Sequence, residues 1–263
     1  MKVKNTTFNQ LSKIFSHPSS ALFRAIELKA IYEQVGRNVF HQPSLDLGCG
    51  DGAITKLLFD QQFTYGVDNG EADDVTIAIK NNIYKKVLIE NAEKMSLPDN
   101  SVNFVFSNSV IEHIPDNEAV LSEVSRILKK NGDFVFTVPS NLFGDYLYIP
   151  FLLNKWGLGL LGKYYIKKRN KMLNHYHLLS HTTWSSRLQK HGLKLIKYAY
   201  YIPESTLHLW DKMAFHIFFL KYFDNNIENK MTQKYRTFME KLYHSGTDDP
   251  TQGASLFLYA RKK

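Results

Sequence analysis

Three glycines at alternate positions, Gly48, Gly50 and Gly52, separate an apolar run containing one acid, Ser44-Leu45-Asp46-Leu47, from a helical pattern that resumes at Ala53-Ile54-Thr55-Lys56-Leu57-Leu58-Phe59. A glycine-rich turn between a strand and a helix lets a ligand approach the backbone closely and supplies positive φ angles that side chains resist. The spacing is G-x-G-x-G, not the G-x-G-x-x-G of dinucleotide sites, and Asp46 lies inside the strand. An acid in that place suits a ligand with a cation near the turn, not a pyrophosphate seated on a helix N-terminus.

The pattern on either side of the turn is that of an α/β chain. Strands are expected at about 44–48, 63–67, 86–89, 102–107 and 133–138, with helices at about 52–60, 71–80 and 116–129 between them. In the last of these helices Glu118, Val120, Leu121, Val124, Ile127 and Leu128 make an amphipathic face, and Asn131-Gly132 is the expected stop. Residues 8–35 read as one or two helices, the second capped by Ser19 or Ser20 and carrying Leu22, Ile26, Ile31 and Val35 at helical spacing. After Pro139 the regularity lapses into an aromatic, glycine-dotted, basic stretch. A helix near 182–191, a sixth strand near 193–200, a helical insertion at about 203–250 and a seventh strand at about 254–261 complete the chain. The fold expected is α/β: a Rossmann-like, doubly wound, seven-stranded mixed sheet with helical insertions after strands 5 and 6. Its parts are an N-terminal helical cap (1–40), a ligand-binding core (41–140), an aromatic and basic cap (141–176) and a segment completing the sheet (177–263).

Composition adds limits. The single cysteine, Cys49, rules out an internal disulfide framework or a cysteine-rich zinc site; within the glycine turn it reads as a small residue under the ligand. No stretch reaches the ~18 apolar residues of a membrane span, and the first residues lack the apolar core of a signal peptide, so a cytoplasmic protein is expected. The formal charge is +8, but between Tyr146 and Pro203 there are ten Lys and Arg and no Asp or Glu, leaving the remainder at 8 − 10 = −2. Such asymmetry points to an anionic partner or to a solvated basic face. The stretch 142–171, with Tyr146, Tyr148, Trp156, Tyr164 and Tyr165 among its lysines, is either a lid over the site or a peripheral contact with a membrane interface. Charge with interleaved rings also fits single-stranded nucleic acid, but no RNA-binding module accompanies it.

Leu45-Asp46-Leu47-Gly48-Cys49-Gly50-Asp51-Gly52 resembles the first motif of class I S-adenosylmethionine (SAM) dependent methyltransferases. Asn91-Ala92-Glu93-Lys94-Met95-Ser96-Leu97-Pro98-Asp99, Val110-Ile111-Glu112-His113-Ile114 and Gly132-Asp133-Phe134-Val135-Phe136-Thr137-Val138-Pro139 follow in order and are similar to the type 11 branch that contains the quinone-biosynthesis enzymes. The resemblance covers about residues 40–140. It implies SAM as cofactor and methyl transfer to a small-molecule acceptor; the apolar, aromatic and basic cap favours an amphiphilic or phosphate-bearing molecule (a sugar, lipid-linked saccharide or isoprenoid), and O-methylation is preferred because a hydroxyl is the commonest acceptor such a pocket meets.

SAM presents a zwitterionic methionine end, a sulfonium, a ribose diol and an adenine. Asp46 with Gly48, Cys49 and Gly50 fits the methionine end, the carboxylate meeting the ammonium directly or through water while bare backbone N–H groups face the carboxylate; the alternative for Asp46 is a bond to the turn itself. Asp68, twenty-two positions after Asp46 and at the end of strand 2, sits where an acid accepts both ribose hydroxyls. Asn69 would flank the adenine, Asn91, Ala92 and Glu93 would border its edge, and Ser107 at the end of strand 4 would lie near the transferring methyl. By the resemblance, His113 is the candidate base for the acceptor's proton, or else a structural histidine. His175, His177 and His181 form H-x-H-x3-H, a spacing that invites zinc, but the context resembles a segment lining the acceptor pocket in related enzymes, with His177 as an acceptor-site base. Some relatives hold a divalent metal with acids upstream of such a Glu-His pair; Asn108 and Ser109 stand there instead, and no metal is expected. Two other classes stay open: a dinucleotide-dependent oxidoreductase, and a non-catalytic protein of the same fold acting at a membrane or as a partner subunit.

Overall fold

The computed structural model describes residues 1–11, 18–70, 72–224, 226–245 and 251–263. Seven strands form one mixed sheet in the order β3-β2-β1-β4-β5-β7-β6: β1 (Ser44–Leu47), β2 (Phe63–Asp68), β3 (Tyr84–Ile89), β4 (Val102–Asn108), β5 (Leu128–Pro139), β6 (Leu193–Tyr201) and β7 (Ser255–Lys262). The first five pair in parallel, and β7 runs antiparallel between β5 and β6. Strand order reverses between β1 and β4, so a crevice opens at their carboxyl ends, the place where open α/β sheets bind ligands. The glycine turn leaves β1 at that point and Val110 follows β4 into it.

Alternation along the strands splits the core into two layers. Phe104, Phe106 and Val135 pack on one face with α2 (Pro18–Val35), α9 (Glu204–Leu220) and α10 (Ile227–Ser245), where Leu22, Ile26, Leu207, Met213 and Met239 are buried. Val105, Phe134 and Phe136 pack on the other with α5 (Asn117–Ile127) and α8 (His181–Lys190), through Val120, Leu121, Val124, Trp184 and Leu188. Asp116 caps α5 by accepting from the Ala119 N–H at 3.0 Å, and Ser180 caps α8 through Thr183 N at 3.3 Å.

Two local expectations are corrected. Helix α5 ends at Ile127 and not at Asn131-Gly132, because β5 starts at once, with Leu128 paired to Val102. Asn131 takes a φ of 63° beside an irregularity in the β4–β5 register, so the pair forms a bulge within the strand. A Cβ on Gly132 would lie 2.8 Å from Lys129 O, which is why glycine fits there. Helix α2 begins at Pro18, which places Ser19 and Ser20 inside its first turn instead of at its cap.

The stretch after β5 folds as α6 (Tyr148–Lys155) and α7 (Gly159–Met172), and α9 pins both. Asp211, fully buried on α9, accepts from Ile149 N at 3.1 Å and from the Tyr165 hydroxyl at 2.7 Å, with Arg169 Nε 3.6 Å away. The basic stretch thus takes one counter-charge from the second insertion. No helix among the described residues is long and apolar enough to cross a membrane.

Candidate active site

The glycine turn is held by its own backbone. Gly48 N and Cys49 N both donate to Val67 O, at 2.8 and 3.1 Å, and Gly50 N donates to Asp68 Oδ2 at 2.8 Å. These three N–H groups are therefore not bare, contrary to the sequence-based expectation. All three glycines lie in the left-handed region, with φ of 77°, 48° and 74°. A Cβ on Gly48 would lie 2.3 Å from Val110 Cγ2, whereas one on Gly50 would meet nothing within 4 Å. The backbone at Gly50 thus faces open space, as a ligand cradle requires.

Asp46 points away from that space. Its carboxylate is buried beneath the turn and Oδ2 accepts from Thr55 Oγ1 and from the Tyr84 hydroxyl, each at 2.5 Å. Burial pushes this carboxyl up to about 6, against the opposing pull of the two hydroxyl donors. The strand's alternation aims Asp46 at α3 (Ala53–Leu58) and β3, so it braces the turn and makes no direct contact with a ligand in the crevice. Cys49 is likewise buried, its thiol pushed up by burial and by Asp46 and Asp68. Ser107, fully buried, donates to Leu47 O at 2.9 Å and ties β4 to β1. Neither lines the crevice.

The crevice is a cavity of about 280 Å³ lined by Gly48, Asp68, Asn69, Ala92, Glu93 and His113, together with Glu90 and Val110, which the sequence did not single out. Asp68 Oδ1 accepts from Gly70 N at 2.6 Å; each of its oxygens keeps a second lone pair for a ligand hydroxyl. Asn69 Nδ2 donates to Asn91 Oδ1 at 3.1 Å, so Asn91 stands behind Asn69, outside the lining. Glu90 accepts from the hydroxyl of Ser96 and, at 2.7 Å, from its N–H. Among the described residues, three carboxylates and no Lys or Arg line this cavity. A sulfonium beside an ammonium fits such a wall, and the pyrophosphate of a dinucleotide does not. SAM thus passes the test of the residues present: acids, a ribose acceptor and an open glycine backbone.

A second cavity, about 340 Å³, adjoins the first and shares His113 with it. Ser20, Phe23 and Arg24 come from α2, Phe143 from the segment after β5, Leu173 and His175 from the end of the cap, and Trp210 from α9. The leading helix thus walls the site as well as packing on the sheet. Phe143 stands edge-on to Trp210 with ring centroids 6.1 Å apart and to His175 at 5.0 Å. Arg24 Nη1 donates to Glu27 Oε2 at 2.5 Å and to Ser109 Oγ at 3.0 Å, while Glu27 Oε1 accepts from Ser109 Oγ at 3.0 Å and the Tyr201 hydroxyl at 2.7 Å. Burial would raise Glu27, but the Arg24 guanidinium and these bonds hold it below the usual carboxyl range. Arg24 is consequently fixed at the cavity wall.

Residues 174–177 lie along the turn that follows β4. His113 Nδ1 donates to Asn174 O at 3.2 Å, Tyr176 N donates to Glu112 O at 2.9 Å, and His177 Nε2 donates to Pro115 O at 2.9 Å and Ile114 O at 3.1 Å. With Nδ1 donating, His113 keeps its Nε2 lone pair, 3.7 Å from Glu112 Oε1. Burial lowers the His113 pKa, with Arg24 adding to the effect, and the neutral form is the one that takes a proton. His177 is corrected from an acceptor-site base to a tether, because its Nε2 proton is committed to two carbonyls and it lines neither cavity. Its place is taken by His175, lowered to about 4 by burial and by the facing His113. His181 stacks on Tyr198 at 4.0 Å and contacts the Tyr200 hydroxyl, so the H-x-H-x3-H residues do not converge. Glu112, His113 and His175 do converge, with one ligand atom from each within 4.8 Å of the others, and are the residues able to hold a cation; the sequence spacing gave no hint of this group. Glu112 is buried with Oε2 unpartnered, and burial pushes it up to about 8.

Fold, crevice and motif order define a nucleoside-binding domain of the class I SAM-dependent methyltransferase type. The family model described as "Methyltransferase domain" matches residues 45–136, the span from β1 through most of β5; this core is a class I SAM-dependent methyltransferase domain. A probable SAM-dependent methyltransferase of Mycolicibacterium smegmatis is 31% identical over 117 residues, 43% of this chain and 44% of that protein. Trans-aconitate 2-methyltransferase of Enterobacter sp. is 31% identical over 104 residues, covering 37% and 39%. The match thus spans less than half the length of these curated relatives. Among solved structures, Haemonchus contortus phosphoethanolamine N-methyltransferase 2 with SAM superposes at a TM-score of 0.56 and 18% identity over 98% of this chain and 60% of that one. The [4+2]-cyclase SpnF does so at 0.54 and 13%, over 99% and 98%. At such identities the likeness is one of fold. The relatives do not single out the quinone-biosynthesis branch.

Proposed function

We propose that the chain is a SAM-dependent methyltransferase, and that it methylates a hydroxyl of a small acceptor with an apolar body and an anionic group. The observation that carries this reading is the meeting of the acid-lined and aromatic-lined cavities at His113. SAM bound in the first supplies an electrophilic methyl on a sulfonium. Asp68 would accept its ribose hydroxyls, Gly50 would leave room for its methionine end, and Asn69, Ala92 and Glu93 would border its adenine. Phe23, Phe143 and Trp210 enclose the acceptor's apolar body, and Arg24 meets a carboxylate or phosphate. Neutral His113, its Nε2 lone pair free, takes the hydroxyl proton as the oxygen attacks. The amphiphilic, phosphate-bearing class preferred on the sequence fits this wall. An amine acceptor is the second reading, favoured by the Phe23, Phe143 and Trp210 rings in the cavity wall, whose faces suit a cation.

Replacing His113 by Ala tests the assignment. Methyl transfer is expected to slow by roughly 100-fold or more with SAM affinity unchanged in calorimetry. An unaltered rate would reduce His113 to a structural residue.

A further inference from the structure

Beyond the two cavities the second insertion leaves a broad apolar face. Phe215, Phe218 and Phe219 recur at three- and four-residue spacing on α9, and Tyr222 continues that spacing past the helix end at Leu220. On α7, Leu161, Tyr165, Lys168 and Met172 share a stripe by the same periodicity. Tyr165, Lys168 and Met172 border Phe215, Phe218 and Phe219 across a groove of about 340 Å³. Exposure is high for these residues: 77% at Phe218, 93% at Tyr222 and 62% at Met172. Scattered apolar exposure is ordinary, but a contiguous set of rings is not.

The charge around this face is of one sign. Lys168 on the stripe itself and Lys171, about a quarter turn from it, are exposed. Asp224 and Glu228, the acids next to the aromatic end of α9, are bound to Lys230 at 2.7 Å and Lys221 at 3.1 Å, and Asp211 is buried. A two-fold contact with a second copy would set these lysines against their own equivalents. An anionic surface that accepts both rings and lysines has no such conflict.

We propose that the α7–α9 face docks on an anionic lipid bilayer, its aromatic rings at interfacial depth and the α7 lysines among the headgroups. The contact is peripheral, since no helix among the described residues could span. Face and acceptor cavity are joined through α9: Trp210 lines the cavity, and Arg169 of α7 lies 4.5 Å over its ring.

The test uses the full chain in vesicle co-sedimentation. Phosphatidylcholine vesicles are compared with vesicles containing about 30% phosphatidylglycerol, at about 0.1 M and about 1 M salt, across which the screening length falls from about 10 Å to about 3 Å. Binding is expected to the anionic vesicles, to weaken at high salt, and to fall about tenfold or more in F218D/F219D. The exposed-charge variant K168E/K171E should lose the preference for anionic lipid, with a melting temperature equal to that of the parent. Absence of binding, equal binding to both vesicles, or parental binding by both variants would overturn the proposal. So would a concentration-dependent dimer that F218D/F219D dissociates, without vesicle binding, because it would make a second copy the occupant.

Discussion

Gly48→Ala probes how the turn and the loop after β4 shape the cofactor crevice together. Gly48 has a φ of 77°, which costs a residue with a side chain about 1–2 kcal/mol. Its added Cβ would also lie 2.3 Å from Val110 Cγ2, 2.5 Å from Cγ1 and 2.9 Å from Cβ. Rotating Val110 about χ1 does not clear all three, so overpacking adds about 1–3 kcal/mol. Together the variant is expected to lose about 2–5 kcal/mol in urea unfolding. Val110→Ala alone should cost about 1 kcal/mol. In the double variant both γ carbons are gone, so much of the overpacking disappears while the φ cost stays, and a favourable coupling of about 1–3 kcal/mol is expected. SAM affinity should follow the same order, since both residues line the crevice. If Gly48→Ala were within about 0.5 kcal/mol of the parent, or the two effects added without coupling, the close approach described here would be wrong.

Asp68→Ala should weaken SAM binding by about 30-fold to several hundred-fold, the loss of two charge-assisted bonds to ribose; unchanged affinity by calorimetry would remove that role. Glu112 is raised by burial from its ordinary value, so the folded state binds a proton the unfolded state has released. Its contribution is complete below the unfolded value of 4.5, declines as pH rises and is gone above about 8. Each pKa unit is worth about 1.4 kcal/mol, so thermal stability should show a smaller loss between these limits in Glu112→Gln than in the parent; parallel curves would contradict the burial argument. His177→Ala should lower stability by about 1–2 kcal/mol while leaving the acid limb of the rate profile in place, and a shifted limb would return His177 to the chemistry.

The crevice was legible where its determinants are local. The turn glycines, Asp68 at the end of β2 and the segment Asn91-Ala92-Glu93 each sit at a fixed offset from a strand, and strand ends are what period-two patterns reveal. Orientation was less legible. Asp46 stands in the expected strand, but whether its carboxylate faces the ligand or the helix beneath depends on Thr55 and Tyr84, 9 and 38 residues away. The acceptor cavity was hardest to read because its wall joins distant segments: Arg24 on α2 reaches Ser109, 85 residues on, and Phe143 meets Trp210 on α9. Helix α2 hid its role, since Leu22, Ala25, Ile26 and Ile31 are all buried and no single polar face marks the side toward the ligand. The H-x-H spacing misled because the backbone at 174–177 runs alongside residues 112–115, turning His175 into the cavity and His177 onto carbonyls.

The central claim is methyl transfer from SAM at the junction of the two cavities. Purified protein incubated with methyl-labelled SAM and a lysate of the source cells, then extracted into organic and aqueous phases, tests it directly. The expected result is formation of S-adenosylhomocysteine with label in a discrete product, in the organic phase for a lipid-linked acceptor and in the aqueous phase for a soluble one. SAM bound but returned intact, with no labelled product in either phase, would contradict the claim and leave a SAM-binding protein without transfer.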